Sequence, residues 1–275
     1  FDAGLSFVEL GGVSPNPKIS LVRKGVALCR REGLDFVLAV GGGSVIDSAK
    51  AIAMGAATGR DPWEFASTGT RPDKTLPVAT VLTLAASGSE TSNSCVLTNE
   101  ETQEKRGITS ETNRPVISFL DPENTFTVSK FQTGCGIVDI MMHTLERYLT
   151  PEGGESDLTD RIAEGLLIAT RDAGRRAIAD PRDYEARATL MWAGSVSHND
   201  YTGCGRKRLF PVHKLEHELS AFRDEIAHGA GLSVLFPAWA EHEMQYDYPR
   251  FAQFANRVLG VEMDFEHPER TAREG

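Results

Sequence analysis

Cysteine is scarce in this sequence, and none of its four cysteines forms a C-x-x-C pair. This argues against a zinc site made of paired thiolates and predicts a reducing, cytoplasmic setting rather than a disulfide framework. The sequence also lacks an apolar run long enough for a membrane helix, so we expect no membrane partner. Positive charge is in short supply as well. The formal net charge is -10, which argues against a nucleic-acid partner because phosphates require a basic surface.

The two ends lack the features of a complete protein. There is no initiator Met, and residues 271–275 are polar without a recognisable structural ending. We therefore expect a fragment that lacks pieces at both ends. With 275 residues, 40% of them hydrophobic, the chain can still form a sizeable core.

The apolar pattern changes near residue 121. Before that point the pattern alternates between strand and helix, which is typical of a parallel α/β domain. The predicted strands are 6–10, 35–40, 77–82, 96–98, 106–109 and 116–120, and the predicted helices are 18–33 and 44–55. The continuous apolar run at 35–40 is typical of a strand buried on both faces. After residue 121 the pattern predicts only helices, at 132–149, 157–179, 183–198, 212–221 and 229–244.

Three glycines, Gly41 to Gly43, separate a predicted strand from a predicted helix. Such a turn lets backbone N–H groups approach an anion, and the positive end of the helix dipole attracts it. Ser44 is the predicted N-cap, with Asp47 completing a capping box, and Lys50 is predicted to be solvated. The turn is neither G-x-G-x-x-G nor a Walker loop. From these residues alone, a phosphate site and a tight turn without a ligand are equally good interpretations.

Two hydroxyl side chains follow the predicted strand 77–82. Thr83 and Ser87 fall at the carboxyl end of that strand, where open α/β sheets bind ligands. They could bond a cofactor amide or phosphate, and simple loop polarity explains them equally well.

Carboxylate and imidazole side chains recur at helical spacing in the second half of the chain. Asp139 and His143 are four residues apart, as are His213 and His217, and His228 begins another predicted helix. A spacing of four places two side chains on one helix face. Imidazole with carboxylate suits divalent zinc or iron. Each pair alone is more often a surface pair, but together they favour a metal centre, and the residue after His213 is not the Glu of the zinc-protease motif.

A phosphate-binding turn and a metal centre in different halves predict a cleft between them. There a metal would polarise an alcohol or carbonyl oxygen, and a nicotinamide would exchange hydride with the adjacent carbon. His217, on the same helix as His213, is our hypothesis for a proton relay.

Six stretches together resemble the iron-containing (group III) alcohol dehydrogenases, in particular the NADPH-dependent butanol dehydrogenase and aldehyde reductase branch. They cover nearly the whole chain and are residues 9–17 (ELGGVSPNP), 38–50 (LAVGGGSVIDSAK), 83–90 (TLAASGSE), 138–146 (VDIMMHTLE), 197–200 (SHND) and 213–220 (HKLEHELS).

The resemblance implies a Rossmann-like α/β domain over residues 1–121 and an all-α metal-binding domain over 122–275, as in the dehydroquinate synthase-like fold. It implies NADP or NAD with Fe(II) or Zn(II), a small alcohol or aldehyde as substrate, and a homodimer. By position, the implied metal ligands are Asp139, His143, His213 and His228. The implied catalytic residues are His217, Asp139 and His143. The implied cofactor contacts are Gly42, Gly43, Ser44, Asp47, Thr83, Ser87 and Lys105.

The sequence departs from the family pattern in two places. The segment that helps to separate NAD from NADP is absent, and residues 222–227 contain one residue more than the resemblance implies, which leaves the position of His228 open. Two alternatives also stay open. A lyase of the dehydroquinate synthase type would need Lys and Arg around the metal for an anionic substrate, whereas Ile140, Met141 and Leu145 are apolar. An inactive fragment with an exposed sheet edge is the other.

Overall fold

The computed structural model describes residue 4 and residues 6–150, 156–207 and 209–275. Its strands are β1 (Val37–Gly41), β2 (Val78–Leu82), β3 (Ser94–Asn99), β4 (Glu104–Thr109) and β5 (Ile117–Phe119). Its first helices are α1 (Ile19–Glu32), α2 (Gly43–Thr58) and α3 (Pro62–Thr68). The later helices are α4 (Lys130–Leu149), α5 (Asp157–Ala179), α6 (Tyr184–His198), α7 (Pro211–Phe222), α8 (His228–Glu243), α9 (Tyr248–Phe254) and α10 (Pro268–Glu274). Among the described residues, no helix is both long enough and apolar enough to span a membrane.

All described strands precede residue 121, and the described residues after it form only helices and loops. The predicted fold class, parallel α/β followed by all-α, is confirmed. We call residues 6–121 the α/β half and residues 122–275 the helical half.

The parallel sheet has the strand order β1-β2-β5, and β3 pairs with β4 as a separate antiparallel hairpin. Gly41 at the end of β1 pairs with Leu82 at the end of β2. The glycine turn after β1 and the segment after β2 therefore emerge side by side at one edge of the sheet, where open α/β folds place their ligands.

Two predictions about strands are wrong. Residues 6–10 are not a strand, and Phe7 and Val8 are half exposed. An apolar run becomes a strand only where a neighbouring strand accepts its backbone hydrogen bonds, and the pattern alone does not reveal that neighbour. Strand β1 is also not buried on both faces. Ala39 packs with Ile46 of α2, whereas Leu38, on the other face, is 56% exposed.

Helix α4 lies at the centre of the helical half, against α5, α6 and α8. It begins where the Ser129 hydroxyl accepts a hydrogen bond from the Gln132 N–H at 3.2 Å, a side-chain cap of the usual kind. Leu145 and Leu149 join the core of this half. Residues on the opposite face of α4 point towards the α/β half, and this placement brings Asp139 to the boundary between the halves.

Candidate metal centre and cofactor cleft

A cleft of about 1050 Å³ separates the two halves and collects almost all of the predicted site residues. The predicted site residues that line it are Gly42, Gly43, Ser44, Asp47, Ser87, Lys105, Asp139, His143, His213, His217 and His228. Thr83 is not part of the lining. Its N–H donates to the Gly41 carbonyl at 3.1 Å, so it joins the two strand ends.

Three imidazole nitrogens surround one carboxylate oxygen at the floor of the cleft. Asp139 Oδ1 lies 3.5 Å from His213 Nε2, 3.5 Å from His143 Nδ1 and 3.7 Å from His228 Nε2. Asp139, His213 and His228 form one group of candidate ligands, and His143 adjoins it through Asp139. Despite the additional residue in 222–227, His228 is thus as near to Asp139 as the other histidines are.

The spacing of these atoms fits a metal better than it fits hydrogen bonds. Asp139 Oδ1, His143 Nδ1 and His213 Nε2 are buried without a hydrogen-bond partner in the described structure, and distances of 3.5 Å and more are too long for one. Two ligand atoms that each lie ~2.1 Å from a tetrahedral metal are about 3.4 Å apart. The donor set therefore matches a divalent metal.

Two buried glutamates orient the histidines, and no sequence pattern predicts a role for either. Glu146 accepts hydrogen bonds from His213 Nδ1 and from the His213 N–H at 3.2 Å. Glu216 accepts from His228 Nδ1. A carboxylate at Nδ1 leaves the Nε2 lone pair free for a metal and makes the imidazole a stronger ligand. Each glutamate lies three residues after a histidine on the same helix. This spacing is also common among surface residues, so it does not predict a buried role.

The charges of the cluster favour a bound cation. Burial and the neighbouring His198 lower the pKa of His143 well below its usual value. Burial also lowers the pKa of His228 to about 3. At His213 burial acts in the same direction, but the nearby carboxylates of Asp139 and Glu146 outweigh it and raise the pKa to about 9. A positive charge is therefore stabilised beside Asp139, while His143 and His228 keep the neutral form that binds metals.

Aromatic rings and a buried arginine close the cluster on one side. The rings of His143 and His198 are 4.1 Å apart, and the Phe210 ring lies 5.2 Å from that of His213. The Arg147 guanidinium stacks on Phe210 at 4.8 Å and donates to the Ser197 carbonyl. Motif 197–200 thus contributes His198, which also hydrogen-bonds Ser94 at 3.0 Å, to the wall of the metal cluster.

The glycine turn leads into α2 without a side-chain cap. Gly42 is the N-cap, and the helix begins at Gly43. The predicted capping box of Ser44 and Asp47 is therefore wrong: the helix starts before Ser44, and Asp47 accepts hydrogen bonds from other elements. A Cβ at Gly43 would lie 2.4 Å from Ser87 Oγ. This close approach favours glycine, because a larger residue at position 43 would displace the Ser87 hydroxyl. A helix start without a side-chain cap is a typical place for an anion.

The prediction that Lys50 is solvated is also wrong. Lys50 is fully buried, and its ammonium donates to the carbonyls of Ser89 at 2.6 Å, Ser92 at 3.0 Å and Ser94 at 2.9 Å. One turn earlier on α2, Asp47 accepts from Ser89 Oγ at 2.5 Å and from the Val96 N–H at 2.9 Å. Helix α2 thereby holds the segment after β2 against the glycine turn.

Comparison with known sequences places both halves in one family. Residues 1–122 match the profile described as iron-containing alcohol dehydrogenase, and residues 133–274 match the profile of the C-terminal part of the Fe-containing alcohol dehydrogenase family. NADH-dependent butanol dehydrogenase A of Clostridium acetobutylicum is 43% identical over 266 residues, which cover 96% of this chain and 68% of that protein. NADPH-dependent aldehyde reductase YqhD of Escherichia coli is 35% identical over 94% of this chain and 67% of its own length.

Comparison with solved structures agrees with the sequence profiles. The crystal structure of NADH-dependent butanol dehydrogenase A from Thermotoga maritima superposes with a TM-score of 0.94 at 39% identity. The superposition covers 99% of this chain and 68% of that one. The family resemblance of the six sequence motifs is confirmed.

Proposed function

The chain belongs to the iron-containing alcohol dehydrogenase family, and on this premise we propose that it transfers hydride between NAD(P)H and a small aldehyde or primary alcohol at a divalent metal. The observation that supports this function most strongly is the shared cleft. In it, the three histidines around Asp139 and the glycine turn before α2 line one volume, so a metal and a nucleotide would meet in the same space.

We propose that the metal is held by Asp139, His143, His213 and His228, with Fe(II) as the first candidate and Zn(II) as the alternative. The nucleotide would bind along Gly42, Gly43 and Ser44, which line the cleft at a helix start, where backbone N–H groups bind anions. Asp47, Ser87 and Lys105 would line its remaining path. Thr83, which lies outside the lining, would act by joining the ends of β1 and β2.

When bound, the metal supplies a Lewis acid and the nicotinamide supplies or accepts the hydride. The protein's own part is to orient, to exclude water and to move a proton. Burial and the nearby Lys105 lower the pKa of His217 well below its usual value, so this imidazole is neutral at pH 7. His217 lines the cleft beside His228, with ring centres 5.6 Å apart. We propose that it accepts or passes on the proton of the alcohol.

The walls of the cleft favour an uncharged substrate. Phe131, Leu209 and Phe210 contribute apolar surface to the lining. Two of the cations that line the cleft are already engaged: Lys105 pairs with Glu216 at 3.3 Å, and Arg147 bonds the Ser197 carbonyl. Lys214 also lines the cleft, and it is exposed. The anionic substrate of a dehydroquinate synthase-like lyase would need such cations for itself, so this alternative has less support.

We further propose that the change at residue 121 separates two domains, one for the nucleotide and one for the metal, and that the protein acts as a homodimer. Some relatives are named as NADH-dependent and others as NADPH-dependent, so activity and binding should be measured with both nucleotides.

Elemental analysis combined with titration by NADH and NADPH tests this proposal. We expect one divalent metal per chain and saturable binding of at least one of the two nucleotides. A purified chain that binds neither nucleotide after loading with Fe(II) or Zn(II) would contradict the proposal.

A further inference from the structure

Lys105 reaches from the hairpin of the α/β half into the helical half. Its side chain is 5% exposed. The ammonium lies 2.9 Å from Ser220 Oγ and 3.3 Å from Glu216 Oε2, both on α7, and it donates to Asn16 Oδ1 at 3.0 Å. A buried charge requires such partners because burial removes its water.

The carboxylate that Lys105 meets is the one that orients His228. Glu216 is fully buried, and the same oxygen, Oε2, accepts from both Lys105 Nζ and His228 Nδ1. The Nε2 of that ring lies 3.7 Å from Asp139 Oδ1. A continuous line of polar contacts therefore runs from strand β4 to a candidate metal ligand.

The two glutamates that orient histidines are supported differently. Glu146 accepts, in addition to the imidazole, two backbone N–H groups at the start of α7, from Val212 and His213, so its position is set within the helical half. Glu216 Oε1 is buried with no hydrogen-bond partner in the described structure. Among the described residues, Lys105 and the ring of His228 are the groups that hydrogen-bond the Glu216 carboxylate.

Glu216, His217 and His228 also form a second group of potential metal ligands. The ammonium of Lys105 lies 3.3 Å from Glu216 Oε2, so the carboxylate of this group already has a cationic partner. The group is therefore better explained as an oriented imidazole than as a second metal site.

We propose that Lys105 is a positioning residue for the metal centre: through Glu216 it fixes His228 in the orientation that binds the metal. This inference rests on the proposed function, because it presupposes the metal site. It adds that the α/β half sets part of the metal affinity, even when no nucleotide is bound.

Metal affinity measured by chelator competition, in the absence of nucleotide, tests the inference. We expect Lys105→Met and Glu216→Gln each to weaken Zn(II) binding by about 10- to 100-fold, the usual range for residues that orient ligands. The double variant should lose no more than the larger single loss, because both changes act on the same ring. The visible spectrum of the Co(II)-substituted chain should change in both single variants.

Arg106→Met is the matched control, because Arg106 is a neighbouring cation on β4 that pairs with Glu104 at the surface; its Zn(II) affinity should equal that of the wild type. Lys105→Arg keeps the cation and should stay within about threefold of the wild type. If Lys105→Met does not fold, the Zn(II) affinities of Lys105→Arg and Glu216→Gln test the inference instead.

Three results would overturn the inference: wild-type affinity in Lys105→Met, losses that multiply in the double variant, or a loss beyond tenfold in Lys105→Arg. A wild-type chain that binds no metal would instead overturn the proposed function.

Discussion

The two sides of the cleft place their functional atoms by different means. On the metal side, the proposed ligands are side-chain atoms of Asp139 and of three histidines, and buried glutamates hold the rings of His213 and His228. On the proposed nucleotide side, the binding groups would be backbone N–H groups at the start of α2, where the N-cap residue makes no side-chain cap. On that side, Lys50 holds the segment after β2 in place by donating hydrogen bonds to three carbonyls.

This difference predicts which substitutions each side of the cleft is sensitive to. The metal side should fail when a side chain is removed, whereas the nucleotide side should fail when a side chain is added or when its supporting helix is disturbed. Metal affinity and nucleotide affinity should therefore respond to separate sets of substitutions.

Asp139→Ala should have the largest effect, because it removes the oxygen that three imidazoles share. We expect metal binding to be abolished, with the affinity at least ~1000-fold weaker, while nucleotide binding persists. Elemental analysis after dialysis gives the result, and Asp172→Ala, an exposed carboxylate on α5, is the control. Stoichiometric metal in Asp139→Ala would contradict the ligand assignment.

Lys50→Met should produce the next largest effect, and on the nucleotide side. Three carbonyls would lose their buried donor, so we expect the free energy of unfolding to fall by roughly 3 kcal/mol and nucleotide affinity to fall with it. Urea denaturation of the variant and of Lys24→Met, an exposed lysine on α1, measures the difference. Equal stability of the two variants would show that the carbonyls do not depend on Lys50.

Glu146→Gln should weaken metal binding by about 10- to 100-fold and leave nucleotide affinity unchanged. The amide oxygen can still accept from the Val212 and His213 N–H groups, but the amide nitrogen cannot accept from His213 Nδ1, where Glu146 Oε2 now does. Chelator competition is the measurement, with the exposed Glu218→Gln on α7 as the control. A parallel loss of nucleotide affinity would mean that the two sides are not separable.

Gly43→Ala should have the smallest effect and the opposite selectivity. Its Cβ would collide with Ser87 Oγ, so we expect NAD(P)H affinity to fall by about tenfold with metal content unchanged. Ser87 also lines the cleft, so the second test is a double-mutant cycle: in a Ser87→Ala background, Gly43→Ala should cost less affinity than in the wild type, because the colliding oxygen is gone. Gly134→Ala, where a Cβ meets no atom within 4 Å, is the control in a fluorescence titration. An equal loss in both backgrounds would argue against the close approach as the cause.

The fold was largely predictable because its elements have strong periodic patterns. The change of fold at residue 121 was predicted from one feature, the absence of strand-like apolar runs after that residue. The exposed face of β1 was not predictable, since the pattern of Leu38 and Val40 shows that a strand can be buried on both faces but not whether something covers it.

The candidate site was predictable where spacing along one helix carried the information, as for Asp139 and His143. It was not predictable where partners come from distant segments. Lys50 meets carbonyls 39 to 44 residues away, and the partner of Glu216 lies 111 residues earlier at Lys105. Ser44 and Asp47 have the spacing of a capping box, but the helix begins before Ser44. Asp47 instead accepts hydrogen bonds from Ser89 and Val96, which are distant in the sequence.

Turnover by the metal-loaded chain is the most direct test of the central claim, that one cleft joins a metal centre to a nicotinamide site for hydride transfer. The measurement is the loss of absorbance of NADH or NADPH on addition of butanal, with protein loaded with Fe(II) or Zn(II), stripped by chelator, and reloaded. We predict oxidation that requires the metal, disappears on stripping and returns on reloading. Full metal occupancy with no oxidation of either nucleotide would contradict the account.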